Sequence, residues 1–69
     1  MNNHGAPNAA TEQHLINARI VEGEARILDQ RREIEQMATA GVDTASAINL
    51  LSAMETSQAL RLRRLAALA

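Results

Sequence analysis

The sequence of 69 residues lacks Phe, Trp, Tyr, Cys and Lys altogether, and it has three Gly and one Pro. Without cysteine the chain has no disulfide, no thiolate nucleophile and no Cys-based zinc or iron–sulfur site. The residues that strands prefer, aromatic and β-branched, are absent or few. Apolar residues nevertheless make up 46% of the chain, mostly Ala, Leu and Ile. This composition predicts closely packed helices.

The positive and negative charges nearly cancel, since the chain has seven Arg and eight acidic residues and a formal net charge of −1. No overall field is present to gather nucleic acid or an anionic membrane. Residues 1–10 lack the basic start and apolar stretch of a signal peptide, and no window approaches the roughly 20 apolar residues of a membrane span. We therefore expect a cytoplasmic protein without membrane contact.

Turn signals divide the chain into a tail and two helices. Residues 1–10 have little to bury, so we predict a flexible N-terminal tail. A helix over about 11–40, capped by Asn8 or Thr11, then ends where Gly41 can take the left-handed conformation and bring Val42 against Met37. After a turn at 41–43, Asp43 or Thr44 caps a second helix over about 44–67.

Each predicted helix carries one stripe of residues at alternating intervals of three and four, the pattern of a helix packed along one face. In the first helix the stripe comprises Ile16, Ile20, Gly23, Ile27, Gln30, Ile34 and Met37. In the second helix it comprises Ile48, Leu51, Glu55, Gln58, Leu62 and Leu65. The short turn predicts an all-α antiparallel hairpin, in which facing residue numbers add to a constant. A sum of 85 matches both stripes, from Met37 with Ile48 to Ile20 with Leu65.

The middle of this predicted seam is polar, at Gln30, Glu55 and Gln58. A buried Leu or Ile at each of these positions would contribute about 1.5–3 kcal/mol. One interpretation is that a narrow hairpin lets these long side chains reach water. The other is that they bond to one another and fix register or partner choice.

Two helices offer too little apolar burial to offset the entropy of ordering them. On one flank of the hairpin, Val21 and Leu28 lie beside small residues spaced by seven, which would admit another backbone closely. We predict that two hairpins pair through this flank into a four-helix bundle with twofold symmetry. Helix propensity alone also explains an Ala-rich flank. The predicted partner face comprises Val21, Leu28, Ser52, Ala59 and Ala66.

No residue pattern predicts catalysis or a cofactor. The chain has two histidines, His4 and His14, and Glu12 lies two residues from His14, not the three or four that helical metal ligands need. The hydroxyl residues of the second helix have no predicted base beside them. We expect a non-enzyme with no cofactor and no metal.

Arginine supplies the remaining chemistry. Basic residues near the end of a helix complement its dipole, and the predicted register places the last cluster beside Glu22 and Glu24. A dimer would still align such clusters along one edge, which makes RNA binding the alternative function. The residues predicted to contact RNA in that case are Arg31, Arg32, Arg61, Arg63 and Arg64.

About thirty residues around the turn resemble a known pattern. They include Gly23-Glu24, Ile27, Gln30-Arg31, Ile34, Gly41, Asp43-Thr44, Ala47 and Leu50-Leu51. The stretch resembles short uncharacterised proteins of alphaproteobacteria, of the rhizobial type, and Gly-x-Asp-Thr is its most specific part. The resemblance implies a two-helix shape and that origin, with no activity. Ala59, Leu60 and Arg61 stand where those proteins tend to carry histidines.

The exposed apolar surface favours one function over the others, because such patches commonly mark contacts between proteins. We interpret the chain as a small interaction or adaptor protein that forms homo-oligomers and offers a further face to a protein partner. The dimeric RNA-binding regulator is the alternative.

Overall fold

The fold is an antiparallel hairpin of two helices, as the sequence predicts. A computed structural model describes residues 9–69, with side chains from residue 10 onwards. Helix α1 spans Ala9–Thr39 and helix α2 spans Ala45–Leu68. Both regular elements of the described chain are thus helical. The predicted tail over 1–10 falls outside the described residues up to residue 8, as does the candidate cap Asn8, whereas residues 9 and 10 are helical.

The turn between the helices has the Schellman geometry that the sequence predicts. Gly41 has a φ of 74°, the left-handed conformation that glycine adopts without strain. Its N–H donates to the Ala38 carbonyl at 3.1 Å, and the Val42 N–H donates to the Met37 carbonyl at 2.8 Å. These two bonds satisfy carbonyls at the end of α1 that have no helical partner.

The start of each helix differs from the predicted caps in detail. Thr11 lies inside α1, so it does not occupy the cap position. Thr44 is the residue before α2, but its side chain makes no capping hydrogen bond. The Asp43 carboxylate instead accepts a hydrogen bond from the Ala45 N–H at 2.9 Å. Of the two candidates, Asp43 therefore supplies the side chain that holds the first turn of α2.

The stripe predicted for α1 is the face that packs against α2. Ile16, Ile20 and Gln30 are buried along it, and Gly23, Ile27, Ile34 and Met37 are half-buried. The buried residues of the described chain are therefore four, Ile16, Ile20 and Gln30 in α1 and Gln58 in α2. The interior of the hairpin is therefore a single narrow seam between two helices.

The stripe predicted for α2 is wrong at three of its six positions. Leu51, Gln58 and Leu65 do face α1, but Ile48, Glu55 and Leu62 are exposed, and residues one position earlier take their places. On the α2 side, the seam covers the cap residue Thr44 and, within the helix, Ala47, Leu51, Met54, Gln58, Arg61, Leu65 and Leu68.

In the resulting register, the numbers of two facing residues add to 81 and not to the predicted 85. Gln13 donates a hydrogen bond to the Leu68 carbonyl at 2.9 Å, and Gly23 lies directly against Gln58. In each of these two pairs the residue numbers add to 81. Because the turn is tight, Thr44 rather than Ile48 lies across from Met37. It also places Met54 in the seam where the other register would bury the Glu55 carboxylate at a large desolvation cost.

Candidate functional site

Two glutamines lie buried in the seam and bind the backbone of the opposite helix. Gln30 and Gln58 are 8% and 7% exposed. Gln30 donates from Nε2 to the Ala47 carbonyl at 3.0 Å, and Gln58 donates from Nε2 to the Ile20 carbonyl at 2.8 Å. The second interpretation of the polar seam was that these side chains bond to one another. Gln30 and Gln58 do not, so that part of the interpretation is wrong. Each instead links its own helix to the other, which ties the two helices at one relative height.

Gly23 makes room for one of these links. A Cβ at position 23 would lie 2.4 Å from Oε1 of Gln58 and 3.2 Å from Nη1 of Arg61. The same Oε1 accepts a hydrogen bond of 3.2 Å from Arg61. Because no real Cβ fits at 2.4 Å, glycine at this position is what lets the Gln58 amide lie between the helices.

Glu55, the third predicted member of the polar seam, lies outside it. Its carboxylate accepts a hydrogen bond from Arg31 Nη2 at 2.9 Å, and both side chains are about half exposed. Arg31 follows the seam residue Gln30, and Glu55 follows the seam residue Met54. Residues that follow a seam residue in either helix therefore meet on one flank of the hairpin.

The predicted partner face lies on this same flank. Val21 and Leu28 each follow a seam residue of α1, and all five predicted members are exposed, with Val21 at 68%. The corrected register adds Ile48 and Leu62, which follow Ala47 and Arg61 and are half exposed. We call this surface the apolar flank; it comprises Val21, Leu28, Ile48, Ser52, Ala59, Leu62 and Ala66.

The five arginines predicted to contact RNA are not brought together. Arg31 pairs with Glu55 on the apolar flank, and Arg32 lies 3.6 Å from the Asp29 carboxylate. Arg64 lies across the hairpin and contacts the Glu12 carboxylate at 2.6 Å.

Of the other two RNA candidates, Arg61 lines the same groove as Arg64, whereas Arg63 does not. Arg61 lies in the seam, and Arg63 points away from it on the outer face of α2. The acidic partner of this last cluster is Glu12, whereas the sequence favoured Glu22 and Glu24. Glu22 instead pairs with Arg26 at 2.6 Å within α1.

The flank opposite the apolar flank carries a groove that the sequence analysis did not identify. Its larger part has a volume of about 330 Å³, and Leu15, Ile16 and Leu60 form its floor. Arg19 and Arg61 are among the residues at its edges. A smaller part of about 90 Å³ continues past Gly23. Leu60 belongs neither to the stripe predicted for the second helix nor to the predicted partner face, and a large apolar residue outside both was the available signal in the sequence.

Groups for catalysis and metal binding are sparse in the described chain. No cluster of three or more His, Asp or Glu side chains there is placed to hold a metal ion. His14 is exposed on α1. The Thr56 hydroxyl donates to the Ser52 carbonyl at 3.0 Å, the usual bond of a hydroxyl to the preceding helical turn.

Neither α1 nor α2 contains an apolar stretch long enough to cross a bilayer. Comparison with known proteins gives no match of the chain to a family model, to a curated protein or to a solved structure.

Proposed function

We propose that the chain is a non-enzymatic interaction protein that self-associates through its apolar flank, two hairpins forming a four-helix bundle. Four large side chains support this, because Val21, Leu28, Ile48 and Leu62 lie on one flank and are half exposed or more. Large apolar patches on a small domain commonly mark a protein contact. The register of 81 is the observation that carries the proposal, since it moves Ile48 and Leu62 from the seam to this flank.

The weak interior of the hairpin supports the same proposal. Ile16 and Ile20 are the buried hydrophobic residues of the described chain, and no side chain described is less than 2% exposed. A domain of this size usually needs a disulfide, a metal or a second chain to supply the missing burial. The sequence has no cysteine for a disulfide, and the described residues contain no cluster of side chains placed to hold a metal, so association is the source of burial that we propose.

The size of the flank suits a second copy. The 24 residues of α2 give a shared length of about 36 Å, and two helices side by side are about 20 Å wide. The resulting face of roughly 700 Å² is close to the ~800 Å² that each partner buries in a stable interface. Small residues at 52, 59 and 66 permit close approach of the partner's backbone. A twofold axis makes such a face complementary to itself.

The charged pair on this flank is compatible with burial against a copy. Arg31 and Glu55 already neutralise each other at 2.9 Å, so docking does not strand a single charge. Glu24 also follows a seam residue, Gly23, and has no ion-pair partner in the described chain. Its carboxylate opposes association, as does that of Glu35, which follows the seam residue Ile34 and also has no ion-pair partner in the described chain.

The experiment is a pair of matched substitutions read by sedimentation velocity. Ala59→Arg puts a long charged side chain where a small residue lets the partner's backbone approach closely, so it should weaken association by at least about tenfold. Ala25→Arg adds the same side chain on the outer face of α1 and should leave association unchanged. Equal association of both variants and the unaltered chain would contradict the proposal. RNA binding that weakens steeply with salt would favour the alternative function.

A further inference from the structure

We propose that the groove opposite the apolar flank binds a third helix, an acidic amphipathic helix of another protein. The inference rests on the interaction role proposed above, since it names the partner of the flank that self-association leaves free. Two features of the groove carry it, an apolar floor and an arginine rim with unused charge.

The floor of the groove is aliphatic and partly open to solvent. Leu15 and Leu60, one from each helix, are 50% and 57% exposed beside Ile16. In the smaller part of the groove Gly23 and Met54 lie among charged and polar side chains, so the aliphatic floor belongs to the larger part. Apolar side chains of a ligand would remove this surface from water, which favours binding. A purely polar ligand would leave it exposed.

The rim carries more positive than negative charge. Arg19, Arg26, Arg61 and Arg64 border the two parts of the groove, against Glu12 and Glu22. Arg26 and Arg64 are paired with these two carboxylates, and Arg61 binds Gln58. Arg19 has no hydrogen bond or ion pair with any residue that the structure describes. The rim therefore has a free guanidinium for an anionic side chain of the ligand.

The shape of the groove favours a helix as its occupant. It runs along the hairpin from Glu12 to Arg26, which is about 21 Å at 1.5 Å per helical residue. A helix of about 15 residues spans that length and presents apolar side chains at intervals of three and four to such a cleft. Acidic residues on its two edges would face the arginine rim. RNA is the less suited ligand, because the floor has no aromatic side chain on which bases stack.

The test uses the full chain and a labelled synthetic peptide of about 18 residues, with leucines at intervals of three and four and glutamates elsewhere. Fluorescence anisotropy should give a Kd in the micromolar range. Arg19→Glu should raise the Kd at least about tenfold, since it places a carboxylate on the rim. Arg63→Glu makes the same charge change on the outer face of α2 and should raise it less than about twofold. Circular dichroism of both variants checks that they remain helical.

Three further ligands complete the test. A peptide with lysine in place of glutamate should bind at least about tenfold more weakly, and so should one of the same composition without an apolar face. Equal binding of either, equal loss in Arg19→Glu and Arg63→Glu, or tighter binding of a labelled single-stranded RNA would overturn the inference. Sedimentation of the same samples reports self-association separately, so a failed groove and a failed dimer are distinguished.

Discussion

Gln58 donates a hydrogen bond of 2.8 Å across the hairpin to the backbone carbonyl of Ile20. The bond depends on glycine at position 23, because a Cβ there would overlap the Gln58 amide. Gln30 makes the corresponding bond in the other direction, to Ala47. A side chain that binds a backbone carbonyl of the facing helix is specific to one relative height of the two helices.

Gly23→Ala should destabilise the hairpin by about 1 kcal/mol, measured by urea unfolding. The added methyl group displaces the Gln58 amide and loses its buried hydrogen bonds, at ~1 kcal/mol each. The helix propensity of alanine offsets part of this, by at most ~1 kcal/mol.

The control is the same substitution in a Gln58→Ala chain. With the amide removed, Gly23→Ala should become stabilising, because the gain in helix propensity alone remains. A stabilising effect in both backgrounds would show that Gly23 does not make room for Gln58.

Replacing both buried glutamines with leucine should raise the melting temperature and broaden the distribution of oligomers. Leucine buries more favourably in a helical seam, but it loses the two bonds that select one register. Native mass spectrometry measures the distribution. Asn49→Leu is the control for a polar-to-apolar change on the exposed outer face of α2, and it should leave the distribution of oligomers unaltered. A single oligomer in the double variant would remove the specificity role.

Met54→Ala and Leu62→Ala should affect different equilibria. Met54 is half-buried in the seam, so its truncation should lower the free energy of unfolding by about 1–2 kcal/mol. Leu62 is exposed on the apolar flank, so its truncation should act mainly on the association constant. Urea unfolding at several protein concentrations separates the two effects. The reverse assignment would restore the register of 85.

The α1 stripe and the turn were predictable because the residue pattern at each of them is compatible with a single structure. Gly41 followed by Val42 specifies the Schellman ending, and the intervals from Ile16 to Met37 allow a single face. In α2 two stripes overlap and share Leu51, Gln58 and Leu65, so spacing alone does not choose between Ile48 and Ala47. The choice depends on turn geometry and on the Gln30 bond to a backbone carbonyl, and neither leaves a mark in the pattern of apolar residues.

The apolar flank was predictable in part for the same reason. Val21, Leu28 and Ala59 were identified, because they are apolar or small residues left over from either stripe. Ile48 and Leu62 were missed, because the wrong register had already assigned them to the seam. The arginine-rimmed groove was missed because Arg19 and Leu60 are neighbours only when the two helices are set at the register of 81.

Glu24→Gln should strengthen self-association by about two- to fivefold. Its carboxylate lies on the apolar flank without an ion-pair partner in the described chain, so an interface there must desolvate it. Glu33→Gln removes the same charge from the opposite flank and is the matched control. Sedimentation velocity at low salt measures both, and an equal effect of the two variants would indicate a change in net charge only.

Self-association through the apolar flank is the central claim, and sedimentation equilibrium of the unaltered chain at micromolar concentration tests it most directly. The prediction is a helical species of twice the 7.5 kDa chain mass. A fully helical monomer of 7.5 kDa that stays monomeric as the concentration rises would contradict it.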